Sequence, residues 1–139
     1  MAQTIREVMT RNPVTLEADT ALIQAARAMR DADIGDVVVT RDGKLCGLVT
    51  DRDIVVRALA EGRDPSSTRL EEICSADVTT VSPDDPVEVA IGFMKERSIR
   101  RLPVTQDGTV TGMVSIGDLA MERDQRSALA DISAAPGNR

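Results

Sequence analysis

Two seven-residue stretches, which we call phrases, share one pattern and contain the residues of this chain that could do chemistry. GLVTDRD (residues 47–53) and GMVSIGD (residues 112–118) both read glycine, apolar, valine, hydroxyl, any, any, aspartate. The hydroxyl and acid are Thr50 with Asp53 in the first phrase and Ser115 with Asp118 in the second. Such a pair is typical of a helix-capping box, and its carboxylate can also accept hydrogen bonds from hydroxyl groups of a ligand. The spacing therefore predicts two helix caps and leaves open whether they also contact a ligand.

The composition argues against catalytic and metal chemistry. The 139 residues include no His, Trp or Tyr, a single Phe, and two cysteines, Cys46 and Cys74. Without His, the most frequent general base and a common zinc ligand are both missing. We interpret the cysteines as two buried thiols in a reducing compartment, with a disulfide as the alternative. No catalytic residue and no metal site are expected.

Charge and hydropathy argue against two classes of partner. The 23 acidic and 17 basic side chains give a net charge of −6, which opposes binding along a nucleic-acid duplex. The apolar runs are too short to span a bilayer, and no segment has the form of a secretion signal. We expect a cytoplasmic protein with neither a membrane nor a nucleic-acid partner.

The two phrases belong to an internal repeat. They lie 65 residues apart, and a shift of 65 aligns the copies without a gap, for example Val39-Thr40 with Val104-Thr105. An internal duplication is the simplest explanation. The predicted division is a first repeat (1–62), a linker (63–68), a second repeat (69–126) and a flexible C-terminal tail (127–139).

Each copy predicts the element order β-α-β-β-α. An extended segment precedes a helix with apolar residues at i, i+3, i+4 and i+7, and two strands joined by an Asp-Gly turn lead to a second helix (51–61 and 117–126). Asp19 or Thr20 in the first copy, and Asp85 in the second, are predicted to cap the first helix. Because a half of about 60 residues buries little core, the halves are expected to pack through their sheets.

Two arginines distinguish the copies. Arg100 and Arg101 precede the second copy's first hairpin strand, where the first copy has Gly35 and Asp36. Charge-assisted hydrogen bonds from Arg to phosphate are each worth about 1.5–3 kcal/mol, whereas an aspartate repels phosphate. The pair predicts a phosphate contact in the second copy, and a solvated surface is the alternative.

The sequence resembles a tandem pair of CBS domains, also called a Bateman module, of the stand-alone bacterial kind. The resemblance covers residues 4 to 126 and rests on the element order, the 65-residue repeat, Ile99-Arg-Arg-Leu-Pro-Val104 and the two Gly-x-Val-Thr/Ser-x-x-Asp phrases. It implies an α+β fold of two repeats related by pseudo-two-fold symmetry, and a homodimer.

The resemblance also implies a ligand. CBS pairs typically hold adenosine-containing molecules (AMP, ADP, ATP or S-adenosylmethionine) in clefts between their repeats, and no further cofactor is required. By resemblance, Asp53 and Asp118, each with its hydroxyl partner, would accept the ribose hydroxyls. Arg100 and Arg101 would approach the phosphates.

Apolar strand residues are candidates for contact with the adenine face. Pro103 replaces Val38 of the first copy, and a proline, which lacks the backbone donor, belongs at a strand edge or an opening. Its candidate neighbours are Val14, Leu16, Thr79 and Val81. An edge strand with core side chains is the alternative.

The leading functional hypothesis is a regulatory module that binds an adenosine-containing ligand and signals to an unidentified protein partner. The alternative is a ligand-free module for dimerisation and protein interaction, which Asp36 and the lack of an aromatic clamp would suit. An enzyme is not expected.

Overall fold

The structure, a computed structural model, describes residues 3–123, and the predicted C-terminal tail (127–139) lies outside them. The elements of the first repeat are α1 (Ile5–Val8), β1 (Thr10–Arg11), β2 (Thr15–Glu17), α2 (Leu22–Ala32), β3 (Asp36–Arg41), β4 (Lys44–Thr50), α3 (Asp51–Asp53) and a π-helix (Ile54–Leu59). Those of the second are a 3-10 helix (Leu70–Glu72), α4 (Val87–Arg97), β5 (Arg101–Gln106), β6 (Thr109–Ser115) and α5 (Ile116–Arg123). The predicted α+β fold is confirmed.

The described chain forms two compact units that do not coincide with the two sequence repeats. The first unit contains residues 14–78, and the second contains residues 3–13 together with 79–123. The opening segment of each repeat (5–11 and 70–75) therefore belongs to the unit built from the other repeat. Each unit consists of a sheet with its helices.

The first unit is built on three strands. β2 pairs parallel with β3, and β3 pairs antiparallel with β4. At the hairpin turn Asp42 and Gly43 have φ of 54° and 80°, as a type I′ turn requires. The core combines the predicted stripe of α2 with strand valines and the opening segment of the second repeat: Leu22, Ala25, Met29, Val37, Val39, Val49, Leu70 and Ile73.

The second unit follows the same plan. β6 pairs antiparallel with β5 and with β1, and the turn residues Asp107 and Gly108 have φ of 54° and 82°. Its core takes side chains from α1, α4, α5 and the strands: Ile5, Val81, Val87, Ala90, Met94, Leu102, Val104, Val114 and Leu119. The hairpin and the apolar helix face predicted for the second copy are confirmed.

The units differ at the strand before the first long helix. In the first unit Val38 N donates to the Val14 carbonyl at 2.9 Å, and β2 continues through three residue pairs. Pro103 holds the position of Val38 and has no N–H, so the Thr79 carbonyl loses the equivalent donor. The pairing shrinks to one parallel bridge between Val81 and Val104. Pro103 thus marks an opening in the ladder.

The predicted side-chain caps of α2 and α4 are wrong. The helices begin after Ala21 and Pro86, and neither has a side-chain cap. Backbone carbonyls take this role, because Leu22 N donates to Thr68 O at 2.8 Å and Val87 N donates to Gln3 O at 2.9 Å. The Asp85 carboxylate instead accepts from Ser82 N at 2.9 Å and holds the preceding turn.

The second helix of each copy also differs from its prediction. The helix predicted over 51–61 forms as α3 followed by the π-helix Ile54–Leu59. The one predicted over 117–126 begins one residue earlier, at Ile116, and is described to Arg123.

Candidate functional site

Both polar phrases form capping boxes where a strand meets a helix. Thr50 Oγ1 accepts from Asp53 N at 3.0 Å, and Asp53 Oδ2 accepts from Thr50 N at 2.9 Å. In the second copy Ser115 Oγ accepts from Asp118 N at 3.1 Å, and Asp118 Oδ2 accepts from Ser115 N at 2.9 Å. The predicted capping role is confirmed, and the ligand role of these residues stays a prediction.

The glycine that opens each phrase lies where another segment crosses the strand. A methyl group on Gly47 would collide with the Ser75 carbonyl oxygen. On Gly112 it would lie 2.9 Å from the Thr10 carbonyl oxygen and 2.6 Å from Met9 Sδ. Glycine is needed because the opening segment of the other repeat passes this strand at backbone distance.

The two aspartates differ in their second oxygen. Asp53 Oδ1 lies 3.7 Å from Arg57 Nε, and the Asp53 side chain is only 15% exposed. Among residues whose side chains are described, no such ion pair is found at Asp118. The position equivalent to Arg57 is Glu122 in the sequence. The carboxylate of the second copy is therefore the more available acceptor.

Arg57 is a residue that the sequence interpretation missed. It also donates to the Ile73 carbonyl at 3.2 Å, so it ties the capping box to the opening segment of the second repeat. Its position four residues after Asp53 on a helix is the signal that could have identified it.

The predicted arginine pair lies beside the second capping box. Arg101 is the strand partner of Ser115, and the Arg100 carbonyl accepts from Ile116 N at 2.8 Å. Arg100 is exposed and Arg101 is half-buried. Two cationic residues therefore stand at the strand end that precedes α5.

The equivalent place in the first unit carries the opposite charge. Asp36 is the strand partner of Thr50, and the Gly35 carbonyl accepts from Asp51 N at 2.9 Å. The charge contrast read from the sequence thus lies next to the capping boxes. A phosphate would meet repulsion at Thr50 and attraction at Ser115.

The apolar candidates are partly core residues. Val81 and Pro103 are buried, and Val81 N donates to the Pro103 carbonyl at 3.2 Å. Val14 and Leu16 are half-buried against the core of the first unit, and Thr79 is half-buried in the second. Burial suits the core alternative for Val81 and Pro103, and contact of any of the five with a ligand stays a prediction.

The predicted residues separate into two sets, one in each unit. The first unit holds Val14, Leu16, Thr50 and Asp53. The second unit holds Thr79, Val81, Arg100, Arg101, Pro103, Ser115 and Asp118.

Across the described side chains, no three of the types His, Cys, Asp and Glu gather as metal ligands would. No helix in residues 3–123 has both the length and the apolar character needed to cross a membrane.

An apolar groove lies between α4 and α5, apart from these residue sets. It has a volume of about 440 Å³ and is lined by Ile91, Met94, Lys95, Ile116, Leu119 and Ala120. Large apolar side chains are also exposed on the π-helix of the first unit: Val55, Val56 and Leu59. Exposed apolar surface of this kind is typical of an interaction site.

Comparison with known proteins identifies the family. Residues 5–59 and 70–124 each match the family model of the CBS domain. CBS domain-containing protein YhcV of Bacillus subtilis is 33% identical over 133 residues, which cover 93% of this chain and 94% of YhcV.

Two solved structures are similar over most of the chain. The CBS domain pair of protein MJ0100, in complex with 5′-methylthioadenosine and S-adenosyl-L-methionine, has a TM-score of 0.80 at 25% identity and covers 91% of this chain and 100% of that one. A hexameric CBS-CP12 protein from bloom-forming cyanobacteria has a TM-score of 0.74 at 27% identity and covers 99% and 78%. With two matches in tandem, the chain belongs to the CBS domain family.

Proposed function

We propose that this protein is a regulatory module that binds an adenosine-containing ligand at its second repeat and signals to a protein partner. The main observation in its support is the set of residues at the end of β6, where the strand meets α5. The Asp118 carboxylate there forms no ion pair with a described side chain, and Arg100 and Arg101 stand beside Ser115. CBS-domain proteins are generally regulatory rather than catalytic, and we propose no reaction.

Each part of such a ligand has a matching group in the second unit. Ribose hydroxyls would donate to Asp118 Oδ1, and phosphate oxygens would accept from the two arginines. The N-terminal end of α5 adds the positive end of a helix dipole, which favours an anion. The Thr79 carbonyl, which Pro103 leaves without its ladder donor, would accept from the adenine amino group.

The first unit is less suited to a phosphate. Its Asp53 already faces Arg57, and Asp36 is anionic at the position of Arg101. We therefore propose that a phosphate-containing ligand binds at the second repeat in preference to the first. The solved MJ0100 pair, held with 5′-methylthioadenosine and S-adenosyl-L-methionine, makes adenosine compounds the class to test.

Thermal denaturation with AMP, ADP, ATP or S-adenosylmethionine tests this proposal. A ligand present at 100 times its Kd stabilises the native state by about 2.7 kcal/mol, which raises the melting temperature. Asp118→Asn keeps an oxygen for the cap and removes the charge, so it should lose most of the shift. The double variant Arg100→Ala/Arg101→Ala should lose the shift with AMP, ADP and ATP.

Asp53→Asn is the matched control, because it makes the same change in the first capping box. It should keep the shift. The proposal is wrong if none of the four compounds raises the melting temperature, or if Asp53→Asn removes a shift that Asp118→Asn retains.

The alternative function is a ligand-free module for dimerisation and protein interaction. The exposed π-helix residues Val55, Val56 and Leu59 and the groove between α4 and α5 favour it. The two functions are compatible, and we propose that the protein is a homodimer in either case. We also propose a cytoplasmic location.

A further inference from the structure

Both cysteines belong to the first unit. Cys46 lies on β4, and Cys74 follows the 3-10 helix Leu70–Glu72. Both are free thiols, both are half-buried, and both pack against the same core. A methyl group on Gly47, the residue after Cys46, would be 3.0 Å from Cys74 Sγ.

A β-bulge in β4 changes the direction of the Cys46 side chain. Side chains alternate in a regular strand, so Cys46 would face away from the side on which Cys74 approaches Gly47. The pairing skips Cys46, because Val39 is opposite Gly47 and Thr40 is opposite Leu45. The extra residue of a bulge re-aims its side chain, which explains how Cys46 and Cys74 can both pack against the same core.

Backbone hydrogen bonds hold the approach. Ser75 N donates to the Leu48 carbonyl at 2.9 Å, and Leu48 N donates to the Ser75 carbonyl at 3.1 Å. These residues follow Gly47 and Cys74 directly in the chain. The main chain thus fixes Cys74 beside Gly47, the residue that follows Cys46.

The charges around the two thiols are unequal. Burial is the main cause that raises the pKa of Cys74, and the nearby Cys46 raises it further, so Cys74 is a poor thiolate. The Glu71 carboxylate, 2.7 Å from the Arg41 guanidinium, is the main cause that raises the pKa of Arg41, and Cys46 adds a smaller contribution. Because the attacking species in disulfide exchange is a thiolate, the first attack falls to Cys46.

The second repeat shows that this fold does not require sulfur chemistry here. A shift of 65 places Thr111 at the position of Cys46 and Met9 at that of Cys74. Thr111 is likewise the residue skipped by a bulge, and its Oγ1 donates to the Val104 carbonyl at 3.3 Å. Met9 approaches Gly112 as Cys74 approaches Gly47. A dithiol therefore occurs in one unit, while the other unit uses residues that form no disulfide.

We propose that Cys46 and Cys74 are a redox-active pair that forms a reversible intramolecular disulfide by exchange with a low-molecular-weight disulfide. The Cys46 thiolate attacks one sulfur of the small disulfide, and its S–S bond breaks to release one thiolate. Cys74 loses its proton and attacks Cys46 Sγ in the mixed disulfide, which releases the second small thiol. One small disulfide is reduced to two thiols, and the two cysteines are oxidised to one disulfide.

The bond would form close to the first capping box. Ile73, the neighbour of Cys74, accepts from Arg57, and Arg57 faces Asp53. Arg57 thus connects the residue next to Cys74 with Asp53, which belongs to the candidate ligand residues. The proposal does not depend on ligand binding.

The test is thiol trapping of the full-length native protein after incubation with oxidised glutathione. The sample is quenched with acid and alkylated with N-ethylmaleimide under denaturing conditions. Its intact mass is then measured by mass spectrometry. Neither cysteine should react with N-ethylmaleimide, and the mass should be two hydrogen atoms below that of the reduced, unalkylated chain. A peptide map should show Cys46 joined to Cys74. Dithiothreitol should restore both sites.

Variants that carry the second repeat's residues are the matched controls. Cys46→Thr and Cys74→Met should never lose the two hydrogen atoms, and each can at most retain one glutathione. The wild-type result decides the proposal, so it does not depend on how these variants fold. Two alkylated thiols, a glutathione adduct that persists on native wild type, or disulfide-linked dimers would each overturn it.

Discussion

At the residue scale, one seven-residue phrase meets three physical demands. Its glycine admits the crossing segment, its hydroxyl caps a helix, and its aspartate closes the capping box. The repeats then diverge around this shared frame. Arg57 forms an ion pair with Asp53, whereas the second copy places Arg100 and Arg101 beside Ser115. The shared frame serves the fold, and we propose that the divergent residues decide what each unit can bind.

Gly47→Ala tests the crossing. The new methyl group would collide with the Ser75 carbonyl oxygen, which is main chain and cannot rotate away. The free energy of unfolding should fall by about 1–3 kcal/mol, as in other overpacked sites. Urea denaturation measures it.

Gly92→Ala is the control for that substitution. Gly92 lies in α4 with nothing within 4 Å of the added methyl group, so alanine should raise the free energy of unfolding by about 0.5–1 kcal/mol. If Gly47→Ala were as stable as wild type, the close approach would not exist in solution.

At the scale of elements, local patterns predicted most segments but not how their ends are satisfied. The Asp-Gly turns and the buried stripes of α2 and α4 are as predicted. The caps of α2 and α4 are not, because carbonyls of Thr68 and Gln3 occupy the first amides. A side-chain cap becomes unnecessary when tertiary packing supplies an acceptor.

Val38→Pro tests why β2 has no full counterpart in the second unit. The change removes the donor to the Val14 carbonyl in a fully buried strand, as Pro103 does naturally for Thr79. The free energy of unfolding should fall by about 1–3 kcal/mol, the cost of a polar group left without its partner. Pro103→Val, which adds an N–H, is the reciprocal control and should cause no such loss. A neutral Val38→Pro would show that this ladder bond contributes nothing.

At the scale of the whole molecule, the chain exchanges opening segments between its two units. Leu70 and Ile73 complete the core of the first unit, and Ile5 completes that of the second. Each unit thus needs residues from both repeats for its core. We expect that neither repeat folds when it is expressed alone with the boundaries read from the sequence.

Leu59→Lys tests the proposed homodimer. Leu59 is 70% exposed on the π-helix, so a charge there should disturb an interface without disturbing the core. Light scattering after size exclusion should give a dimer mass for wild type and a monomer mass for the variant at equal concentration. The wild-type melting temperature should also rise with protein concentration.

Gln24→Lys, an exposed polar position of α2, is the control and should remain a dimer. A monomeric wild type, or a Leu59→Lys variant with unchanged mass, would contradict the homodimer.

The sequence by itself determined the repeat, the α+β class, the hairpins with their turns, the capping boxes and the contrast between Asp36 and the arginine pair. These features depend on residues a few positions apart, or on comparison of one copy with the other. Such short-range preferences survive in any fold that keeps the elements.

Only the tertiary structure decided which segment crosses Gly47 and Gly112, where the helix caps come from, and that Cys46 and Cys74 pack against the same core. Each of these contacts joins residues that are far apart in the chain. Hydrophobic periodicity shows which face is buried, but not which distant segment covers it, because many apolar partners would satisfy the same pattern. That choice belongs to the packing of the whole chain.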